Sequence, residues 1–410
     1  MEEEHCQFFV IRKKRYCRMT VKKGNKFCGE HQQNQSNMKE EVQAKKRRIT
    51  CPLDSTHTCY EAKLAKHLKV CNAKTDDNSL PPYIVQGINL GDVSLKQPTH
   101  VRLSLISQST VDAVINKINS AFERLPVTPE LILSHEVLEE ELKNPIYGNT
   151  AKKHLFQNAS LLAHLENSKL IRDNTCFIEF GAGKGKLTYW LAQAIKKQSG
   201  SSLLLIDRSS HRHKRDNKLK NEGNPLNVKR IRADIADLKL NNVEEIGNLA
   251  VVGVAKHLCG CATDLTLRCL VSAKEDDPSC KINGLIIAFC CHHRCEYSSY
   301  VGKNYLESCG FTSDEFPILC SIASWATCGF EKSAKFNKEE SVEKKEHIAN
   351  DTRSFKEREE MGRRVKMLLN WGRLQFLKTA GFDCRLVHYT SVDISLENVC
   401  IIAEIRKENN

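Results

Sequence analysis

The stretch C-F-I-E-F-G-A-G-K-G-K-L, residues 176–187, leaves a chain few ways to fold. Residues 176–180 read as a short buried strand and the chain from about 187 to 197 as a helix. Gly181, Gly183 and Gly185 stand between them at alternate positions. Without a Cβ, such a turn lets backbone pass tight against a ligand, and the first amides of the helix point to the same spot. A dinucleotide fingerprint needs G-x-G-x-x-G. Here the spacing is G-x-G-x-G, with Glu179 two residues ahead of the first glycine. A tight turn without a ligand is the alternative, and the cost of three glycines to strand and helix stands against it.

More strands follow. Residues 202–206 are apolar and end in Asp207-Arg208, and residues 227–231 end near Asp234-Ile235. Residues 250–255 are wholly apolar, as expected of a buried parallel strand, and break into Lys256-His257-Leu258-Cys259-Gly260. A helix opens at Thr263-Asp264 and runs to about Leu270. Residues 284–289 form the next strand, ending in Cys290-Cys291-His292-His293-Arg294-Cys295. Residues 363–380 have helical apolar register, closed by Gly381. Two β-rich runs, 382–389 and 398–406, read as a terminal antiparallel hairpin. The fold class expected is α/β: a Rossmann-like, seven-stranded sheet with an antiparallel edge. E-x-G-x-G-x-G resembles the first motif of class I S-adenosylmethionine-dependent methyltransferases.

The N-terminal part is chemically different. Residues 1–75 hold 17 Lys+Arg against 8 Asp+Glu, so most of the chain's net charge of +12 lies there. Such a module beside a near-neutral domain points to a polyanionic partner, although a merely solvated basic surface also fits. Cys6, Cys17, Cys28 and His31 are spaced C-x10-C-x10-C-x2-H. Three thiolates and an imidazole suit a closed tetrahedral zinc site. The few apolar groups nearby form no core unaided, so metal would supply the folding free energy. His5 is an alternative ligand, and a disordered basic arm is the competing reading. Cys51, His57, His67 and Cys71 are spaced C-x5-H-x9-H-x3-C, with His67 and Cys71 on one face of a helix expected over 60–70. Between the two sets, Lys45-Lys46-Arg47-Arg48 fits a nuclear localisation signal, a phosphate contact or a charged linker.

Both fingers, the glycine loop and the runs K-H-L-C-G and C-C-H-H-R-C together resemble a eukaryotic tRNA 2′-O-methyltransferase family acting on nucleotide 4 of the acceptor stem. The family has the order CCCH finger, CHHC finger, methyltransferase domain, so the resemblance covers most of the chain. It implies two structural zinc ions, S-adenosylmethionine as donor and tRNA as partner. Glu179, Gly181, Gly183 and Gly185 would form the donor loop. Asp207 would accept the ribose hydroxyls, with Arg208 beside it, and Asp234 and Ile235 would meet the adenine, although Asp234 also suits a helix cap. Lys256 is the first candidate for handling the acceptor hydroxyl, as ammonium or as desolvated amine. His257, His292 and His293 are rivals as base, and Arg294 suits phosphate. A metal on the Cys290–Cys295 run competes, against the difficulty of turning neighbouring positions toward one ion.

The expected division is a finger at 1–35, a finger at 48–75, a linker at 76–100, a helical lead-in at 101–170 and the catalytic domain at 171–410. Within it, residues 332–362 are dense in Lys and Glu and read as an exposed insertion. In the lead-in, His154, Gln157 and Asn158 resemble the family's helix leading into the catalytic domain, while on their own they read as ordinary helix surface. No apolar run is long enough to span a bilayer and residues 1–20 are charged throughout. With nineteen cysteines, an odd number, this points to a reducing compartment, nucleus and/or cytoplasm. No protein partner is inferable.

Overall fold

A computed structural model describes residues 5–10, 15–17, 21, 24–28, 47–71, 80–92, 98, 102–209, 211, 215–327 and 353–406. The chain divides into two compact units, residues 1–80 and 81–410.

In the first unit, strands Phe9–Val10 and Arg15–Tyr16 pair antiparallel. A second hairpin joins Arg48–Cys51 to Asp54–Tyr60. The helix expected over 60–70 is shorter: Tyr60 ends the strand, residues Glu61–Lys63 make a 3-10 turn, and the α-helix is Leu64–Val70. Tyr60 and Thr58 are held by Arg48, whose guanidinium covers the ring and bonds the Thr58 hydroxyl and carbonyl, which keeps this segment extended.

In the second unit, helix α1 is Gln108–Phe122 and α2 is Asn149–Asn167. Strand β1 (Thr175–Phe180) leads into α3 (Lys186–Ala194), followed by β2 (Ser202–Ile206) and β3 (Asn227–Ile231). Then come β4 (Ala250–Cys259), α4 (Cys261–Asp276), β5 (Ile282–Cys290), α5 (Phe316–Ala323), α6 (Phe355–Thr379), β6 (Phe382–His388) and β7 (Val399–Ile405). The sheet order is β3-β2-β1-β4-β5-β7-β6, with β1 to β5 parallel and β7 antiparallel to both neighbours. This is the seven-stranded sheet with an antiparallel edge that the sequence led us to expect.

Strand residues alternate between two apolar layers. Cys176, Ile178 and Phe180 face α4 and the C-terminal part of α6, through Leu267, Leu270, Leu374 and Leu377. Phe177 and Leu203 face α2 and α3, through Leu161, Leu162, Leu187 and Leu191. A third cluster joins α1, α5 and the first half of α6.

Two expectations need correction. Strand β4 does not break at Lys256 but continues to Cys259 through a register shift between Lys256 and Leu258, where His257 has φ +60°. The irregular residue lets the strand carry polar groups to its very end. Residues 355–362 of the expected insertion form the start of α6, fixed by a capping box in which Ser354 and Glu357 exchange bonds. Among these charges Met361 is buried on the third cluster, in register with Val365 and Leu368. Residues 332–352 of the insertion lie outside the described residues.

Candidate active site

The glycine loop sits at the carboxyl end of β1, beside the switch in strand order where open α/β sheets bind ligands. Gly181, Gly183 and Gly185 have φ of +65°, +52° and +68°, backbone that other residues rarely adopt. At Gly185 a Cβ would also stand 2.9 Å from Leu205 Cδ2 and 3.2 Å from the Arg230 guanidinium. Glu179, on β1 beneath the loop, is buried, and its Oε2 accepts from the Thr188 amide at 2.9 Å and from the Thr188 hydroxyl. Burial pushes its carboxyl up to about 7. It braces the first turn of α3.

Asp207, at the end of β2, accepts from the Gly183 amide at 2.7 Å and the Ser209 amide at 2.7 Å, with His211 Nε2 3.2 Å away. Asp234 caps the next turn through the Ala236 amide at 3.1 Å. Arg208 is exposed and lies 4.0 Å from Asp234, and Ile235 is buried. Sequence reasoning missed Arg230 on β3. Its NH1 donates to the Gly183 carbonyl at 3.0 Å, and Asp216 holds its other two nitrogens at 3.0 and 3.2 Å.

At the end of β4, Lys256 Nζ donates to the His154 carbonyl at 3.0 Å and to Asn158 Oδ1 at 2.6 Å, both on α2. Burial lowers its ammonium to about 7, with Glu179 acting against the shift and Lys186 adding to it. His257 Nε2 lies 3.1 Å from Gln157 Oε1, and burial takes this imidazole down to about 4. Gln157 and Asn158, expected as helix surface, are 3% and 2% exposed. Asn158 lies in register with Leu155 and Leu162 on α2, and an amide inside an apolar stripe was the signal to read.

The run after β5 divides. His292 is buried, turned to α6, with Nε2 2.7 Å from Asn370 Oδ1 and its pKa held well below the ordinary value by burial. His293 is half-buried and lowered for the same reason. Arg294 is exposed. A Cβ on Gly260 would overlap the Arg294 carbonyl, so the loops leaving β4 and β5 touch through their backbones.

In the N-terminal unit, Cys6, Cys17 and Cys28 bring their sulfurs together, as do Cys51 and Cys71 with the His67 ring. Cys17 and Cys28 Sγ are 3.9 Å apart, Cys51 and Cys71 Sγ 3.6 Å, and His67 Nε2 is 3.2 Å from Cys51 Sγ. Such donor sets fit tetrahedral zinc. His31 and the side chain of His57, the fourth ligands expected, lie outside what is described.

These sites have counterparts in known proteins. The family described as Methyltransferase TRM13 matches residues 156–404. The chain belongs to this family. The CCCH zinc finger in TRM13 protein matches residues 4–32, and the U11-48K-like CHHC zinc finger matches residues 48–72. The mouse protein called tRNA:m(4)X modification enzyme TRM13 homolog is 36% identical, over 97% of this chain and 94% of its own length. The Saccharomyces cerevisiae enzyme called tRNA:m(4)X modification enzyme TRM13 is 30% identical, over 98% of this chain and 96% of its own. Membership makes the chain an S-adenosylmethionine-dependent methyltransferase with two zinc fingers. Among the described residues, no helix is long and apolar enough to cross a membrane.

Proposed function

We propose that the chain methylates the ribose 2′-hydroxyl of nucleotide 4 in the tRNA acceptor stem, with Lys256 as proton acceptor. The name the relatives carry supports tRNA and position 4, and the lysine carries the chemistry. A neutral amine has two hydrogens, and Lys256 has two acceptors for them, the His154 carbonyl and Asn158 Oδ1. Its lone pair is left to take a hydroxyl proton. A pKa near 7 suits general-base work, whereas His257 at about 4 is too weak a base.

S-adenosylmethionine supplies the methyl group as a sulfonium electrophile. Gly181, Gly183 and Gly185 line its cradle, Asp207 receives ribose hydroxyls, Asp234 and Ile235 meet the adenine, and Glu179 and Arg230 hold the loop in shape. A Cβ at Gly183 would meet only the Gly181 carbonyl, at 4.0 Å, and otherwise open space. Gly183→Ala should therefore weaken donor binding about tenfold or more by calorimetry and lower the unfolding midpoint only slightly, the strain of one left-handed alanine being roughly 1–2 kcal/mol.

In the division of labour we propose, residues 1–35 and 48–75 grip the phosphates of an A-form stem, a contact of shape rather than sequence. Residues 76–100 lead from them to the helical segment at 101–170 and the catalytic domain at 171–410, with Gly87 and Asn89 bonded to the turn after Asp234. Lys63, Lys66 and Lys69 are exposed on the second finger, and Arg294, also exposed, takes substrate phosphate in this reading. Incubation with labelled S-adenosylmethionine and total tRNA, then nuclease digestion and nucleoside analysis, tests the reading. Label in a 2′-O-methyl nucleoside at position 4 is expected. Label on a base, or none with tRNA still bound, overturns it.

A further inference from the structure

Three groups of metal-ligating side chains converge among the described residues: the two finger sets, and Cys259 with Cys290 and Cys291. The third stands where β4 and β5 end. Neighbouring residues on a strand point to opposite faces, which ought to keep Cys290 and Cys291 apart. Cys291, however, has φ +51°, and this left-handed turn brings its sulfur to 3.2 Å from that of Cys290. His257, two residues before Cys259, has φ +60°. Of the four non-glycine residues with positive φ among the described residues, one is thus a member of this group and another lies two residues from it. Strain at a non-glycine position persists only where the surroundings impose it.

The spacing is that of a metal site. Sulfurs bound tetrahedrally to zinc at about 2.3 Å lie roughly 3.8 Å from one another. Cys259 and Cys290 Sγ are 3.8 Å apart, against 3.9 and 3.6 Å for the cysteine pairs of the fingers. The Cys290–Cys291 pair must open by about half an ångström to fit. Cys295, the remaining thiol of the run, is buried and receives a bond from Arg373 at 3.1 Å, so it stands outside the group. Cys259 is exposed, so the group is open on one side.

We propose that Cys259, Cys290 and Cys291 bind a third zinc ion through three thiolates. Its fourth position, beside Cys259, is open to an exchangeable oxygen ligand such as water or a hydroxyl. Three protein ligands with an open place distinguish this site from the closed fingers. The ion would tie the end of β4 to the loop after β5, fixing the segments that carry Lys256 and Arg294. The inference does not depend on which nucleotide is methylated.

Zinc per chain, measured by elemental mass spectrometry on full-length protein reconstituted under reducing conditions, tests it. Wild type and Cys261→Ser, which changes a neighbouring thiol outside the group, should hold three ions. Cys259→Ser and Cys290→Ser should each hold two. Cobalt substitution should give thiolate-to-metal absorption that falls by nearly two fifths in the same variants, as three of eight thiolates lose their ion. Two ions in the wild type overturn the site. So do three ions retained in Cys259→Ser, or an equal loss in Cys261→Ser.

Discussion

Lys256→Ala is expected to slow methyl transfer on the order of a hundred- to ten-thousand-fold, the usual contribution of a positioned base. Binding of S-adenosylmethionine and tRNA should barely change, since neither is assigned to this side chain. The sign of the pH dependence separates base from electrostatic helper. The amine accepts a proton only when neutral, and its pKa is lowered from the ordinary lysine value to about 7. The single-turnover rate should thus rise with pH through about 7, level off above it and fall below it. Lys256→Ala should lose that limb. Lys256→Arg, charged at every accessible pH, should not restore the rate. If the ammonium merely stabilised a developing alkoxide, Lys256→Arg would retain much of the activity and the wild-type rate would fall above pH 7. Full turnover by Lys256→Ala would remove Lys256 from the mechanism.

The sheet was legible because apolar runs and glycine turns are local signals. Residues 202–206 and 227–231 were placed as observed, and the terminal hairpin followed from two β-rich runs after a helix. Both fingers announced themselves by ligand spacing. What stayed hidden depended on partners far along the chain. Nothing local says that Asn158 will receive Lys256 across 98 positions, or that Cys291 will turn left-handed and meet Cys290. Arg230 clamps the Gly183 carbonyl from β3, two strands away in the sheet. The start of α6 was obscured by charge, since Lys356 to Glu360 give no apolar period until Met361.

Arg373 shows the same thing with a larger energy attached. It stands on α6 in register with Leu369 and Leu377, so its helix face carries it into the core. There its guanidinium forks onto Asp264 at 3.0 and 2.7 Å, with side chains 2% and 0% exposed. Arg373 also donates to Asn370 Oδ1 at 3.2 Å, the oxygen that faces His292 Nε2. His292 Nδ1 in turn lies 3.8 Å from Glu397, which pairs with Lys366 at 2.8 Å. Asp264→Ala leaves the arginine charge buried without its partner, a loss of about 3–5 kcal/mol. Thermal unfolding by circular dichroism should register this as a fall of roughly 5 °C. Asp264→Ala with Arg373→Met removes both charges and should recover most of the loss, because a buried pair is worth little more than an apolar replacement. Methyl transfer should not recover with it. The double variant still lacks the guanidinium that fixes Asn370 and Cys295, and with them the loop bearing His292, His293 and Arg294. A single variant as stable as wild type would show that the pair does not anchor this network. A double variant with both stability and rate restored would make the network structural alone.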